Sequence, residues 1–578
     1  MKVLANTRRL VACGDTKARY LLQLVLVTVI GCLEVASAYT LGLITRSLTA
    51  ADGQNLLRSF IYFAAATVLI ALTEWYRSVR MTRLTETAES NYRKRTARAL
   101  LHAEYQGMQK LESGDLISRV VSDCRFAASN SSLLIDGLRN VLIPLQLIAV
   151  MFVVDWRVGL GYLLLLIPVL MYPRLTKGSL SEIPAYRKAY AAMSGQAKDL
   201  IQNRTTVKAY RLQKRADSWV DTTVEDYRKK GVRGIGKIYT VNISALAINV
   251  LPLFGCAIVG ASLLFRGQLS AEGFVMAVML ASVATGELLK LPNVMVNFPS
   301  GVVAADRLFE IWDLPAETAG TVTQGEPGAA VEFENVTFRY PGQDEADAPL
   351  LDSLSFSVRP GEKVALVGHS GCGKSTVLKL ITGLYSPSAG TVRVLGEAVS
   401  DWDPEAMRAQ MSVLQQNPFV FKGSIRDNIL LGNPGADETA LAHAVECARL
   451  SEWIGQQRDG WHTDTGEHGS LLSGGLQQRV GLARLFLKDA PIELLDEATS
   501  ALDSTHQKEI LCALKACREP KTRITIAHRL SSVTDSDRIL FLHQGKIAEE
   551  GTHAELLRRR GLYYGLFTAQ VKEEQDGK

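Results

Sequence analysis

The chain is short of cysteine pairs: it has eight cysteines in 578 residues, and no two are spaced as C-x-x-C. That argues against a zinc site, offers no disulfide framework, and fits a reducing compartment best. Long runs of Lys and Arg are missing too. A formal net charge of +5 on 63.2 kDa is too small to argue for nucleic acid as a partner. What the chain does have is oiliness in one place. A mean hydropathy of +0.07 with 21% charged residues reads as the average of an apolar half and an ordinary half. The length also exceeds the one or two hundred residues typical of a single domain, so at least two domains are expected.

The apolar half comes first. Residues 20–45 hold a single charge, Glu34, in 26 positions, enough for a helix to cross a hydrocarbon core about 30 Å thick. This stretch is too long for a removable signal peptide and lacks a small-residue cleavage site. Similar stretches at about 57–76, 138–155, 158–173, 239–265 and 273–296 bring the expected number of spans to six. Buried helices of a soluble core are the bland alternative, and the number and length of the stretches oppose it.

Charge sets the orientation. The connections at 77–137 and 174–238 carry ten and fifteen Lys and Arg, whereas the other three loops hold one or two each, so both long loops are expected on the cytoplasmic side. The basic amino-terminal segment and the even number of crossings place both termini there as well. Apolar residues three and four apart in "LISRVVSDCRFA" and "WVDTTVEDYRKK" predict helical extensions of the spans into the cytoplasm.

From residue 316 to 330 the chain turns rich in Gly, Thr and Pro, a linker between a domain at 1–315 and a second at 331–570, with a polar tail at 571–578. Val331, Phe333, Val336 and Phe338 predict paired strands, and alternating strand and helix patterns follow, so the second domain is expected to be α/β. In "VALVGHSGCGKSTVLKLITGL" an apolar strand runs into Gly368-x-x-x-x-Gly373-Lys374-Ser375 and then into a helix, the context a phosphate-binding loop requires. Backbone N–H groups freed by glycine close around phosphates, the helix N-terminus adds positive potential, Lys374 reaches the β and γ oxygens, and the Ser375 hydroxyl suits Mg²⁺. Ser370, Gly371 and Thr376 complete the candidate nucleotide ligands. Further on, "PIELLDEATSALD" ends an apolar strand in Asp496 and Glu497. Asp496 suits the metal through water, and Glu497 is the carboxylate to polarise an attacking water.

A second glycine loop, "LSGGLQQR", stands 24 residues before Glu497 and has no phosphate of its own to bind. It resembles the signature of ATP-binding cassette proteins. That resemblance implies two cassettes meeting head to tail around two ATP molecules, with Ser473, Gly474 and Gly475 serving the partner's nucleotide. It further implies that Tyr340 stacks on adenine, that Gln416 in "VLQQNPFVF" is a Mg²⁺ and water ligand, that Asp503 lies in the inter-cassette loop, and that His528 touches the γ-phosphate. The segment "TDTGEHG" resembles the stretch that distinguishes exporters from most importers. The first 315 residues are similar to the exporter-type membrane domain, with "GDLISRVVSD" and "TTVKAYRLQKR" at its coupling helices.

The expectation is therefore a multi-domain membrane protein of the inner (plasma) membrane. A six-helix all-α transmembrane domain is followed by an α/β P-loop ATPase domain, using ATP and Mg²⁺, as a half-transporter that exports a small molecule, lipid or peptide and whose second half is another copy or a different chain. An importer with the same fold and an ATP-gated channel or regulatory subunit are the alternatives. A soluble cassette of the DNA-repair type would lack the spans. Two departures stand out: Leu476, where the family usually has Gln, and Glu493, a carboxylate inside an apolar strand. Glu34, Asn242, Asn249, Glu287 and Lys290 are the polar residues within spans that are candidates for the transport path, Glu287 and Lys290 also being spaced to pair with each other.

Overall fold

The computed structural model describes residues 9, 17–109, 111, 113–176, 183–326, 328–343, 348–496, 521–527 and 533–576. The chain divides into two compact units, Met1–Leu101 with Glu112–Asp313, and His102–Leu111 with Leu314–Lys578.

The first unit is helical. Its main helices are α1 (Lys17–Thr49), α2 (Gly53–His102), α3 (Cys124–Val154), α4 (Trp156–Thr176), α5 (Gln213–Phe265), α6 (Ala271–Leu288) and α7 (Leu291–Trp312). Five helical stretches among the described residues are long and apolar enough to cross a membrane; the remaining expected span falls on α4, whose apolar part Trp156–Val169 is shorter. At 50 and 53 residues, α2 and α5 run about 75–80 Å, far more than the hydrocarbon thickness, so each carries the polar extension its basic sequence predicts. The last span differs from the expected single helix over 273–296. It breaks at Leu289 and Lys290, because Pro292 has no N–H to donate and its ring crowds the carbonyl four residues earlier.

Without a hydrophobic drive between helices in lipid, close approach has to come from small residues. A Cβ on Gly255 of α5 would lie 2.7 Å from the Gly161 carbonyl oxygen of α4, so only glycine allows that crossing. Val27 and Ile30 of α1, Leu147 and Met151 of α3, Tyr162 of α4, Cys256 of α5 and Ala277, Ala281 and Ala284 of α6 form one buried cluster. Helix α2 stands apart from it: only 6% of its apolar stretch is buried. Met81 and Leu84 attach it to Ile135, Ala88 and Tyr92 pack against Cys124, Ala127 and Ala128 of α3 and Leu308 of α7, and Glu74 and Arg77 add ion pairs to α3.

The second unit is α/β. Strands β1 (Val331–Phe338), β2 (Leu351–Val358), β4 (Ala389–Val394) and β5 (Glu397–Ala398) make an antiparallel sheet in the order β2-β1-β4-β5. The residues expected to hold paired strands are a single strand, β1, whose partners lie further along the chain; irregular register between Phe333 and Val336 accounts for their three-residue spacing. A six-stranded sheet, β10-β9-β3-β8-β7-β6, is built from β3 (Lys363–Gly368), β6 (Met411–Leu414), β7 (Ile492–Asp496), β8 (Thr522–Ile526), β9 (Arg538–His543) and β10 (Lys546–Gly551). It is parallel throughout except for the β9–β10 pair at one edge.

Glu493 sits on β7, one strand in from the edge of this sheet, 1% exposed and directly opposite Arg523 on β8. Arg523 Nη2 lies 2.7 Å and Nε 2.8 Å from Glu493 Oε2, which resolves the anomaly of a carboxylate in an apolar strand. Removing one partner strands a buried charge, so Arg523→Ala should cost about 3–5 kcal/mol and lower the thermal midpoint of the full-length chain in detergent. The double replacement Glu493→Leu with Arg523→Leu should recover most of that loss in the same melting measurement.

Candidate functional site

The strand β3 ends at Gly368 and the helix Lys374–Ile381, α8, begins six residues later. The turn between them needs backbone angles that L side chains rarely adopt: φ is +80° at Gly371 and +104° at Gly373. A Cβ at Gly373 would also lie 2.8 Å from Leu351 Cδ2, whereas one at Gly371 would meet nothing within 4 Å. Ser370 and Gly371 are exposed at the crest of the turn, and Gly368 and Gly373 are buried at its base.

Lys374 is 5% exposed, and its ammonium donates to the carbonyls of Gly368 (2.8 Å) and His369 (2.9 Å). The exposed Ser375 hydroxyl donates to Asp496 Oδ1 at 3.4 Å. Residues 121 apart in sequence thus meet because β3 and β7 run parallel on either side of β8 and end on the same edge of the sheet. The carboxyl edge of an open α/β sheet is where such folds bind ligands.

Thr376 is buried, and its hydroxyl engages the Tyr340 hydroxyl at 2.8 Å, so its side chain orients the tyrosine while its backbone stays at the helix start. The Tyr340 ring is held edge-on by Phe338 and Tyr385, with Lys379 Nζ 5.6 Å above it. On the far side of Tyr385, the ring of Tyr105 packs at 5.6 Å, bringing the segment His102–Leu111 onto the second unit to which it belongs. Burial pushes the Cys372 thiol up from its ordinary range, with Lys374 partly opposing. It is thereby kept protonated, which weighs against a redox role for this loop cysteine.

The second glycine loop caps another helix. Ser473 is the N-cap of α9 (Gly474–Lys488), its Oγ accepting from the Leu476 N–H at 3.3 Å, and Ser473 and Gly474 are exposed while Gly475 is half-buried. Leu476 packs against the buried cluster that contains Leu472 and Val480, so the departure from Gln puts an apolar side chain to use in packing.

Two residues of the same motif proved more important than their sequence context suggests. Gln478, 3% exposed, donates to the Gln416 carbonyl at 3.3 Å, tying the exposed Gln416 loop to α9. Gln477 donates to the Gly469 carbonyl at 2.9 Å, holding the segment 463–469 beside the second glycine loop. That segment is itself tied to the loop after Gln416 by Thr465, whose hydroxyl donates to the carbonyls of Phe421 (2.7 Å) and Gly423 (3.0 Å). All three lay inside quoted motifs, but a lone Gln or Thr gives no sign of its partner. Glu497, Asp503 and His528 lie outside the described residues. Among the polar residues of the spans, Lys290 Nζ donates to Glu287 Oε1 at 2.7 Å, the pairing their spacing allows; Asn249 is buried, and the Asn242 side chain lies outside the described residues.

Comparison with known proteins agrees with this geometry. The family model described as ABC transporter matches residues 351–500, and the one described as ABC transporter transmembrane region matches 20–288. The ATP-dependent lipid A-core flippase of Shewanella denitrificans is 34% identical over 474 residues, 80% of this chain and 77% of that protein.

The chain belongs to the ABC transporter family.

The mycobactin import ATP-binding/permease protein IrtB of Mycolicibacterium smegmatis is 41% identical over 300 residues, 52% of this chain and 51% of that protein. A solved bacterial Atm1-family ABC exporter with ATP bound superposes with a TM-score of 0.81 at 27% identity, covering 96% of this chain and 98% of that one. This ABC transporter is a membrane protein of the fused half-transporter kind with an exporter-type fold, and it binds and hydrolyses ATP as a dimer.

The difference between the two loop glycines is testable in this transporter. Gly371→Ala strains only the backbone, at about 1–2 kcal/mol, whereas Gly373→Ala adds the clash with Leu351. Titration with a fluorescent ATP analogue should therefore find a clearly larger loss of affinity for Gly373→Ala than for Gly371→Ala.

Proposed function

We propose that two such halves close head to tail over two ATP molecules and drive a small molecule, lipid or peptide outward from the cytoplasmic side of the cell's inner (plasma) membrane. The observation that carries this reading is the meeting of the exposed Ser375 with Asp496 at one sheet edge, next to the buried Lys374 that is held by the loop's own carbonyls.

In this reading the loop from Gly368 through Ser370, Gly371 and Gly373 offers its N–H groups to the phosphates, and Lys374 exchanges its two carbonyl partners for β and γ oxygens. Ser375, Asp496 and Gln416 supply a hydroxyl, a carboxylate and an amide oxygen, the hard donors that Mg²⁺ takes, and the 3.4 Å between the first two fits a shared site. Bound with ATP, the metal offsets charge on the β and γ phosphates. Thr376 holds Tyr340 where its ring stacks on adenine. Glu497 orients and polarises the attacking water, His528 holds the γ-phosphate, and Asp503 lies in the contact between cassettes. Ser473, Gly474 and Gly475 reach the partner's γ-phosphate, so ATP favours the closed state because only that state makes these contacts.

Outward transport is supported by the relatives. The flippase aligns over 80% of the chain and the importers over 52–73%, and the structure that superposes over 96% is that of an exporter. The basic loops at 77–137 and 174–238 support a cytoplasmic position for the extensions and for the ATPase domain. A homodimer is the simplest arrangement, since one chain carries both halves of the composite site.

For the reconstituted chain alone, Glu497→Gln should lower Mg²⁺-dependent ATP hydrolysis by at least about 100-fold while ATP stays bound. A normal rate in that variant would overturn the assignment of the carboxylate.

A further inference from the structure

Where the apolar stretch of α2 gives way to its basic extension, charges pair on one side and not on the other. Toward α3 and α6 the cations have carboxylates: Arg77 pairs with Glu74 (3.0 Å) and Asp136 (3.3 Å), and Arg139 pairs with Glu74 (2.7 Å) and Glu287 (3.0 Å). Toward α1 they have none. Arg19 of α1 and Arg83 of α2 are exposed and make no ion pair or side-chain hydrogen bond among the described residues, and Arg80 donates to the neutral Tyr76 hydroxyl at 3.0 Å.

These three arginines line one cavity of about 500 Å³ between α1 and α2, together with Leu22, Gln23 and Glu86. The volume is that of a small-molecule site, and the lining sets three cations against one carboxylate. Tyr20 and Leu24 pack on Met81 and Leu84, which holds the two walls together. A second observation points to a ligand independently. Gln23 is 1% exposed; its Nε2 donates to the Arg77 carbonyl at 3.5 Å, which sets the orientation of the amide and leaves Oε1 buried with no hydrogen-bond partner. A buried acceptor without a donor is costly. The occupant that relieves both conditions brings negative charge to the arginines and an O–H to Gln23, as a phosphodiester bearing hydroxyls does.

Placement selects a lipid as its source. The cavity lies where the apolar stretches 20–45 and 57–76 end, at the depth of headgroups, and basic pockets between spans at that level bind anionic lipids. Exposed Val25 and Val29 continue the face of Leu22 along α1 into the span, and exposed Tyr76 and Leu72 continue the face of Arg80 along α2. These two apolar stripes give acyl chains a path away from the cavity.

We infer that Arg19, Arg80, Arg83 and Gln23 form a site for an anionic phospholipid whose headgroup carries hydroxyls, as phosphatidylglycerol does. The site goes beyond the transport reading and does not depend on the cargo.

The test is calorimetric titration of the full-length chain in dodecyl maltoside with four probes: the dihexanoyl forms of phosphatidylglycerol, phosphatidylmethanol (the same charge without hydroxyls) and phosphatidylcholine, and glycerol 3-phosphate. Saturable binding is expected, tightest for phosphatidylglycerol. Loss of charge-assisted hydrogen bonds in the double variant Arg19→Gln with Arg83→Gln should weaken it about tenfold or more. Both arginines are exposed, so unstimulated ATP hydrolysis should survive and report an intact fold. Arg228→Gln with Lys230→Gln removes two cations that pair with Glu225 and Asp226 elsewhere, and should leave lipid binding unchanged. Gln23→Leu should erase the preference for phosphatidylglycerol over phosphatidylmethanol while both still bind. No saturable phosphatidylglycerol binding, equal affinity for phosphatidylcholine or for glycerol 3-phosphate, unchanged binding in the Arg19 and Arg83 double variant, or an equal loss in the Arg228 and Lys230 control would each overturn the site. A preference for phosphatidylglycerol that persists in Gln23→Leu would overturn the part given to Gln23.

Discussion

Parallel strands that end on one edge are the constraint on which the nucleotide-binding unit depends. Because β3, β8 and β7 run side by side in one direction, the glycine turn after β3 and the acidic end of β7 emerge together, although 121 residues separate Ser375 from Asp496. The turn itself costs backbone strain that only glycine relieves, and burial of the flanking strands holds it in place. Around that edge, side chains of Gln478, Gln477 and Thr465 join the loops by hydrogen bonds to backbone carbonyls. The Gln416 loop, the segment 463–469 and the second glycine loop are consequently one connected surface, so movement of one is felt by the others.

The same rule about buried charge shapes both units. In the sheet, Glu493 is tolerated because Arg523 stands opposite in register and covers it. In the helical unit, Glu74, Arg77, Asp136, Arg139, Glu287 and Lys290 are tolerated because they pair across α2, α3 and the break after α6. For α2 these pairs add to apolar contacts at Met81, Leu84, Ala88 and Tyr92, while little of its membrane-crossing stretch is buried.

Much of this was legible before any coordinates. Apolar length, basic loops and the two glycine motifs depend on local composition and spacing, which a sequence displays directly; they sufficed for the membrane-plus-cassette architecture and for the family. Less visible were features that depend on a partner distant in the chain. From sequence alone β1 reads as paired strands because a register irregularity mimics a turn in the alternation. The last span reads as one helix by its apolar length, although Pro292 interrupts it. Glu493 looked anomalous because Arg523 lies thirty residues away, and Leu476 looked like a missing polar contact because its apolar neighbours come from the fold.

What the sequence by itself determined, then, is which chemistry is present: a phosphate loop, an acidic strand end, a second glycine loop, and helices oily enough to span a bilayer. What only the tertiary structure decided is who meets whom: Tyr340 with Thr376, Ser375 with Asp496, Gln478 with Gln416, Arg77 with Asp136, and both Arg139 and Lys290 with Glu287. The reason is physical. Propensity and periodicity act over a few residues, whereas the pairing of buried polar groups is settled by packing, where an unpaired group costs more than most local preferences can offset.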